Sequence, residues 1–316
     1  MTVGLALPTR SLRTPEAVRD VLDLAELLDG HEGWSDLWVG DSLLALPFFE
    51  SMTLMAAIAA RTERVGIGVA CQATLGLRDP VLLAAQWAAV DQISGGRATL
   101  VACPGWGSGD AVRAELRAFD VNYVTKTQRM ERNIALLREA SATGAITVDD
   151  ETHVLPTPFV QRPLPIWFTA NPAEDASPET VERLLDRVAR LGDGWLTYAV
   201  GPELLAARIA FVRERRAAYG KDPNFPVCVG VNANVHPDAD AARADALSAW
   251  TRVGSRNVAI EDVDRLGAIG DAGHVVAKLD ALRAAGATHF SLYLLSDRPR
   301  EQAELLTDHL LPAFAP

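Results

Sequence analysis

One continuous segment, residues 64–106, constrains the fold more than any other part of the chain. Its sequence, RVGIGVACQATLGLRDPVLLAAQWAAVDQISGGRATLVACPGW, predicts a buried strand from Val65 to Cys71 and a second from Ala98 to Cys103. Between them a helix begins at Pro80 and ends before a Ser-Gly-Gly-Arg turn, which is a stop signal. A strand-helix-strand unit of this kind joins parallel strands. The segment therefore predicts a parallel crossover.

The same alternation of strand and helix continues along the chain. Buried strands are predicted at residues 3–7, 37–39, 65–71, 98–103, 165–168, 194–197, 226–235 and 289–295, with a hairpin-like insert around 146–154. Eight such units predict an α/β fold of the (β/α)8 TIM-barrel type with insertions. No Pro/Ser-rich linker or charge block divides the 316 residues, so we expect one domain over 1–316.

Composition excludes several function classes. The chain has 30 Lys+Arg against 41 Asp+Glu, a net charge of −11, which argues against nucleic-acid or membrane-surface partners and favours a small-molecule substrate. No run approaches the roughly 18 apolar residues of a membrane helix. The start MTVGLALPTR is not a signal segment, and three cysteines without a CxxC pair predict reduced thiols in a cytoplasmic protein. The scattered His and Cys residues predict no metal.

In such barrels the chemistry lies at the carboxyl ends of the strands. The residues that follow the predicted strands include Arg10, Asp41, Ser42, Cys71, Gln72, Gly105, Trp106, Thr169, Asn171, Tyr198, Asn234 and His236. Few of them are acids or bases, whereas hydrolases and lyases need such groups beside the substrate. A cofactor that carries the reactive electrons itself suits these strand ends better.

Several candidates also have a purely structural interpretation. Asp41 is either a cofactor contact or a turn former, and Cys71 is either a site residue or a packed small side chain. Arg10 is a substrate-pocket candidate or a solvated cation, and Asn234 lines the pocket or is a buried amide of the barrel interior. The residues Gly95, Gly96 and Arg97 precede a strand and are assigned to the scaffold, and Trp38, Trp87, Trp167 and Trp195 to the core.

Six motifs occur in a characteristic order across nearly the whole chain. They are SDLWVGDS (35–42), RTERVGIGVA (61–70), LRDPVLLAAQWAAVDQISGGR (77–97), PIWF (165–168), GDGWLT (192–197) and AAGATHFSLYL (284–294). Together they resemble the bacterial luciferase-like superfamily of flavin-dependent oxidoreductases.

This resemblance implies a site that holds reduced FMN or the deazaflavin F420 at the strand ends. It implies hydride transfer, or oxygenation of a small organic substrate with O2. A bulge with a non-prolyl cis peptide, falling here near Ala70, Cys71 and Gln72, would support the flavin ring, with Asp41, Ser42, Gly105 and Trp106 around it. The resemblance also implies a homodimer and a flavin reductase that supplies reduced flavin.

The chain departs from the family pattern in three places. Asp41-Ser42 stands where many deazaflavin members have Asp-His, and Arg132 stands where a Glu is common. The phosphate loop reads TANPAEDASPET, so phosphate binding is assigned to Thr169, Asn171 and the helix start capped by Ser177.

Three alternatives follow from these departures and stay open. The sequence of residues 77–97, from LRDP to SGGR, favours F420 over FMN, whereas the altered phosphate loop argues against F420. A flavin-binding relative without catalysis and a cofactor-free barrel lyase are the other two.

Overall fold

The computed structural model describes residues 1–105, 107, 109–253 and 260–314. The strands are β1 (Thr2–Ala6), β2 (Asp36–Val39), β3 (Gly66–Gln72), β4 (Ala98–Ala102), β5 (Ala145–Val148), β6 (Glu151–Val154), β7 (Ile166–Thr169), β8 (Gly194–Tyr198), β9 (Val227–Val235), β10 (Ala268–Gly270) and β11 (His289–Leu294). The helices are α1 (Pro15–Asp29), α2 (Ser51–Arg61), α3 (Pro80–Ser94), α4 (Asp110–Ala118), α5 (Lys126–Thr143), α6 (Pro178–Leu191), α7 (Pro202–Ala218), α8 (Ala239–Val253), α9 (Ile260–Leu266), α10 (Ala272–Ala284), α11 (Pro299–His309) and α12 (Leu311–Phe314).

The strand order confirms the predicted fold class. One sheet has the order β10-β9-β11-β1-β2-β3-β4-β7-β8, and β8 also pairs with β9. All eight predicted strands are present, alternating with helices as in a (β/α)8 TIM barrel. The antiparallel pair β5 and β6 is the predicted insert. Two elements for which the sequence gives no prediction, α9 and β10, lie between α8 and α10.

By internal contacts the chain divides into two compact units. The first comprises Met1–Pro8, His31–Asp36 and Ala170–Pro316. In this unit β9 is buried along its whole length and pairs in parallel with β11. The other edge of β9 pairs with β8 at Val227–Gly230 and with β10 at Ala233–Val235. This nine-residue strand therefore pairs with three neighbouring strands. The single-domain expectation stays a prediction.

The second unit comprises Thr9–Gly30 and Leu37–Thr169. In it β3, β4 and β7 pair in parallel, with Gln72 opposite Ala102 and Ala102 opposite Phe168. The register shifts between Val69 and Gln72, and the Ala70-Cys71 peptide is cis, which confirms the bulge and the cis bond that the resemblance implied. The carboxyl ends of these three strands are therefore neighbours.

The predicted tryptophan core is confirmed. Trp38, Trp87 and Trp195 are at most 2% exposed and Trp167 is 8% exposed. The rings of Trp38 and Trp167 lie 5.9 Å apart in a tilted arrangement. A β-carbon at Gly68 would overlap the Trp38 ring, so the β3 backbone approaches this ring as only glycine permits.

The Gly-Gly-Arg segment belongs to the scaffold, as predicted. Gly95 ends α3 in a left-handed conformation, with φ of 64°. The Arg97 guanidinium donates to four backbone carbonyl oxygens, those of Ala59, Thr62, Val65 and Ser94. These bonds join α2 and α3 to the start of β3, because each carbonyl lies where one of these elements ends or begins.

Within the described ranges, none of the helices combines the length and apolar character needed to cross a membrane. Over the same residues there is no grouping of three or more His, Cys, Asp or Glu side chains suited to a metal ion.

Candidate active site

The ends of β3, β4 and β7 bring four sequence-predicted site residues together in the second unit. Ala70, Cys71, Gly105 and Thr169 are each half-buried, so each keeps some contact with solvent. Their side chains are small, and Gly105 has a φ of 74° that only glycine adopts readily. The strand ends therefore form a partly exposed surface made of small side chains and backbone.

A second thiol, Cys103, lies directly after β4 beside Cys71. The Thr169 hydroxyl donates to the carbonyl of Ala102, the residue before Cys103, at 3.5 Å. The hydrogen bond from Cys71 lowers the pKa of Cys103, aided by Thr169, the Gly105 N–H and the Lys126 charge and opposed by burial. The same hydrogen bond, together with burial, raises the pKa of Cys71.

Asp41 lies in a buried hydrogen-bond network rather than at the surface. Its side chain is 0% exposed. Its carboxylate accepts from the Ser51 hydroxyl (2.7 Å, to Oδ1) and from the Thr74 N–H (2.8 Å, to Oδ2). Burial raises the pKa of Asp41, although the bonds from Ser51 and Thr74 and the charge of Arg78 oppose the rise. The predicted contact of Asp41 with substrate or cofactor stays a prediction, and its observed partners are structural.

Arg78 links this network to the start of α2. Its Nη2 lies 3.7 Å from Asp41 Oδ1 and donates to Glu50 Oε1 at 2.7 Å, while its Nε donates to Thr74 Oγ1 at 3.0 Å. Glu50 also caps α2, because its carboxylate accepts from the backbone N–H of Thr53 at 2.8 Å. Burial would raise the pKa of Glu50, but the hydrogen bonds from Thr53 and Arg78 outweigh it and lower that pKa.

Ser42 is held by a residue that sequence reasoning missed. Its hydroxyl donates to Glu115 Oε1 at 3.1 Å and accepts from the Leu46 N–H at 2.9 Å. The same Glu115 oxygen accepts three further bonds of 2.6 to 3.1 Å, from the backbone N–H groups of Leu43, Leu44 and Ala45. Glu115 belongs to α4 and is 8% exposed. No local sequence pattern identifies Glu115 as a site residue, because its hydrogen-bond partners lie 70 to 73 positions away.

Gln72 and Gly105 have different surroundings, although both were predicted to bind cofactor. Gln72 is 0% exposed; its side chain donates to Met52 Sδ and accepts from Trp87 Nε1 at 3.1 Å. Its amide is therefore engaged between α2 and α3. Gly105 is half-buried, and its carbonyl accepts from Lys126 Nζ at 3.2 Å, which places a cation at the end of β4.

Arg10, the second substrate-pocket candidate beside Asn234, lies next to an aromatic ring. Its guanidinium stands 5.1 Å from the centroid of Phe48, and the two residues form an isolated β-bridge. Burial lowers the pKa of Arg10. A cavity of about 220 Å³ adjoins this bridge; it is lined by Ser11, Leu12, Arg13, Pro47, Phe48 and Phe49.

In the first unit, Asn171 and Tyr198 anchor the loop after β7. Asn171 Oδ1 accepts from the Thr197 hydroxyl at 3.1 Å and from the Tyr198 N–H at 3.4 Å. The Tyr198 hydroxyl donates to Asn232 Oδ1 at 2.6 Å, and burial raises the pKa of Tyr198 to about 12. Ser177 is exposed and caps α6 by accepting from the Thr180 N–H at 3.3 Å. Phosphate binding by Asn171 and Ser177 stays a prediction.

Asn234 has the contacts of a buried amide, and its predicted place in a substrate pocket stays a prediction. It is 0% exposed, and its Nδ2 donates to Asp245 Oδ2 (2.9 Å) and to the Leu295 carbonyl (2.7 Å). Trp106, the third residue predicted to be catalytic, lies outside the described residues.

The carboxylates near these strand ends are already occupied. Asp41, Glu50 and Glu115 each accept hydrogen bonds that hold backbone or side chains in place. General acid–base catalysis needs a group positioned on the substrate and able to exchange its proton. The arrangement therefore suits chemistry whose electrons come from a bound cofactor.

Comparisons with known proteins agree with this interpretation. The family model described as luciferase-like monooxygenase matches residues 1–289. An FMNH2-dependent dimethylsulfone monooxygenase of Pseudomonas putida is 28% identical over 196 residues, which cover 59% of this chain and 48% of that protein. The match thus spans about half the length of this relative.

Solved structures share the fold at low sequence identity. Monooxygenase RslO1 from Streptomyces bottropensis has a TM-score of 0.77 at 20% identity, with 100% of both chains covered. An F420-dependent secondary alcohol dehydrogenase also has a TM-score of 0.77, at 17% identity over 100% of this chain and 99% of that one. The oxygenating constituent of 3,6-diketocamphane monooxygenase from Pseudomonas putida, in complex with FMN, has a TM-score of 0.75 at 16% identity, covering 99% and 98%. With the family model matching most of its length, the chain belongs to the luciferase-like monooxygenase family.

Proposed function

We propose that this protein is a flavin-dependent monooxygenase that uses reduced FMN and O2 to oxygenate a small organic substrate. The observation that carries the proposal is the engagement of Asp41, Ser42 and Glu115 in internal hydrogen bonds. Among the described strand-end residues these groups are occupied, so we assign the electron-transfer chemistry to a redox cofactor. Membership in a family of monooxygenases and oxidoreductases supports an enzyme of this kind.

The residues at the ends of β3, β4 and β7 fit a flat aromatic cofactor. Ala70, Cys71 and Thr169 are small and half-buried, and Gly105 adds no side chain. They would hold the ring, with the Thr169 hydroxyl as a hydrogen-bonding group and Lys126 as the adjacent positive charge. When bound, reduced FMN would supply the electrons that activate O2. The protein residues contribute position and a partly water-free surface.

Two considerations favour FMN over the F420 preference drawn from the sequence. The relative with 28% identity is named for its dependence on FMNH2. Ser42, which stands where many deazaflavin members have His, is bound to Glu115 and carries no group that titrates near neutral pH. F420-linked hydride transfer is the second candidate, and the sequence of residues 77–97 favours it.

Anaerobic titration separates these candidates. The purified protein is titrated with reduced FMN and, separately, with reduced F420, while tryptophan fluorescence is followed. We expect saturable quenching by reduced FMN and at least tenfold weaker binding of F420. Tighter binding of F420 would establish the second candidate, and binding of neither would overturn the flavin proposal in favour of a cofactor-free lyase.

A conservative variant tests the position of the cofactor. Thr169→Val removes a hydroxyl at the proposed ring surface and keeps the side-chain shape, so the Kd for reduced FMN should rise several-fold. Thr147→Val on the β5–β6 hairpin is the matched control, since the Thr147 hydroxyl bonds Glu139 of α5. Equal Kd values for the two variants would place the cofactor elsewhere.

Turnover distinguishes an enzyme from a binding protein. The assay contains a flavin reductase that supplies reduced FMN and a panel of substrates that includes dimethylsulfone. With a true substrate we expect O2 consumption to rise and an oxygenated product to form. Binding of reduced FMN without product from any member of the panel would favour the non-catalytic alternative. The cytoplasmic homodimer also stays a prediction, and a solution mass near 33.9 kDa would contradict the dimer.

A further inference from the structure

Two tyrosine rings and one amide lie together toward the carboxyl ends of β8, β9 and β11, within the first unit. Tyr198 of β8 is opposite Gly230 of β9, and Tyr293 of β11 is opposite Asn232 of β9. The ring centroids are 5.3 Å apart, and the ring planes are nearly perpendicular, at 80°. A β-carbon at Gly230 would lie 2.7 Å from Tyr198 Cδ2 and 3.0 Å from Tyr293 Cε2, so glycine lets both rings approach the β9 backbone.

The Tyr198 hydroxyl occupies only the oxygen of the Asn232 amide. It donates to Oδ1 at 2.6 Å. Burial raises the pKa of Tyr198 to about 12, so this hydroxyl is protonated near neutral pH and remains a donor. Asn232 is 5% exposed, yet its Nδ2 donates to none of the residues that the structure describes. A buried donor without an acceptor is unfavourable, so this position favours a ligand atom that accepts a hydrogen bond.

Asn234 provides the contrast on the same strand. It lies two positions after Asn232, on the same face of β9. Its Nδ2 donates to Asp245 Oδ2 at 2.9 Å and to the Leu295 carbonyl at 2.7 Å. Of these two amides, Asn232 is therefore the one whose N–H groups are left for a ligand.

The tyrosine rings supply an apolar surface beside this donor. Tyr198 and Tyr293 are each half-buried. Tyr198 also packs against an apolar cluster that includes Trp250, Ile269 and Leu295, which supports its ring. Aromatic rings attract a further ring in a tilted or offset arrangement. A donor fixed beside two such rings selects a ligand that has an apolar ring with one acceptor oxygen next to it.

We propose that Tyr198, Tyr293 and Asn232 form a specificity site for a small aromatic molecule that carries a carbonyl-type oxygen. The Asn232 N–H groups donate to that oxygen, Tyr198 holds the amide in place through Oδ1, and the two rings contact the aromatic body. Substrates of barrel enzymes bind at the carboxyl ends of the strands. The ligand is therefore the molecule to be oxygenated, and in this respect the inference rests on the proposed function.

Two matched ligands test the donor. Acetophenone and α-methylstyrene have nearly the same shape, but the first has a carbonyl oxygen where the second has a methylene group. Each is titrated into the purified protein without flavin, at about pH 8, where an introduced carboxyl group is ionised. Ligand-observed NMR gives the two Kd values. Their ratio is the quantity compared, because apolar contacts that both ligands make cancel in it.

Asn232→Asp removes the N–H donors and keeps an oxygen that accepts from Tyr198. We expect the Kd of acetophenone to rise by at least about fivefold relative to that of α-methylstyrene. Asn224→Asp makes the same chemical change in an exposed loop before β9, and it should leave the ratio unchanged. An unchanged ratio in Asn232→Asp, or binding of neither ligand to the wild type, would overturn the proposal.

Two tyrosine variants separate orientation of the amide from apolar contact. Tyr198→Phe keeps the ring but releases Asn232 Oδ1, so the preference for acetophenone should decrease by a smaller factor than in Asn232→Asp. Tyr293→Leu removes one ring and should weaken both ligands alike. Thermal melts verify that each variant folds. If Asn232→Asp does not fold, Tyr198→Phe decides the question, and an unchanged ratio in that variant would contradict the role of the amide.

Failure of this inference is distinguishable from failure of the proposed function, because the two ligands are titrated without flavin. Expected ratios for the ligands together with no binding of reduced FMN would overturn the proposed function and leave the site in place. Binding of reduced FMN together with ratios that do not depend on Asn232 would overturn the site alone.

Discussion

Ser42 donates its hydroxyl to Glu115 Oε1 at 3.1 Å, across 73 positions of sequence. The same oxygen holds three successive backbone N–H groups of the loop that follows β2. A carboxylate that accepts several bonds in a buried place stabilises them more than a neutral acceptor would. Glu115 therefore determines the shape of the chain around Ser42.

The first prediction concerns this pair. Glu115→Gln should lower the free energy of unfolding by about 1–3 kcal/mol, because the acceptor loses its charge. Combined with Ser42→Ala, the effect should be less than additive, since Ser42→Ala removes the bond that Glu115→Gln weakens. Urea denaturation of the single and double variants measures both. Asp110→Asn, at the exposed start of α4, is the control and should have a small effect. Additive losses would contradict the coupling.

Asp41 gives the second prediction, on pH dependence. Burial raises the pKa of its carboxyl in the folded state, so folding favours the protonated form. Wild-type stability should therefore fall relative to Asp41→Asn as the pH rises from about 3.8 through the raised pKa, and the difference should then level off. Urea denaturation of the wild type and Asp41→Asn across this pH range measures the difference between their free energies of unfolding.

Ser51→Ala offers a control for the Asp41 prediction. It removes the hydroxyl that stabilises the charged form at 2.7 Å, so the upper end of the pH range of the decline should move upward while its lower end stays in place. A stability difference between wild type and Asp41→Asn that stays constant with pH would show that Asp41 does not titrate in this way.

The third prediction concerns His289 at the start of β11. Burial lowers the pKa of this imidazole to about 4, and its Nδ1 lies 2.8 Å from Thr288 Oγ1. The folded state resists protonation, so stability should be unaffected above pH 6.5 and should fall as the pH drops from 6.5 toward about 4, by up to about 3 kcal/mol. His289→Gln should lose this acid dependence, whereas exposed His309→Gln should retain it. Identical acid profiles for the two variants would refute the assignment.

Arg97 gives the fourth prediction, which separates scaffold from site. Arg97→Lys cannot reach the four carbonyl oxygens that the guanidinium holds, so the free energy of unfolding should fall by about 2–4 kcal/mol. Because Arg97 precedes β4, the Kd for reduced FMN should stay unchanged. Arg19→Lys, in an exposed pair with Glu16, should change stability by under about 0.5 kcal/mol. Weakened flavin binding at unchanged stability would contradict the scaffold role.

Much of the fold was predictable because its signals are local. Apolar runs mark β3 and β4, Pro80 marks the start of α3, and Gly95 marks its end. Each signal depends on the conformational preferences of residues a few positions apart. The strand β10 was missed, since three residues in a polar connector give no periodic pattern and only pairing with β9 makes them a strand.

The order of strands and helices, the scaffold role of Arg97 and the positions of Cys71 and Thr169 at strand ends could all be inferred from the sequence alone. The burial of the Gln72 and Asn234 amides and the bond between Glu115 and Ser42 became apparent only in three dimensions. The physical reason is the range of the interactions. Backbone preference and periodicity act over a few residues, whereas a side chain's partner depends on which distant segments folding brings within hydrogen-bond distance.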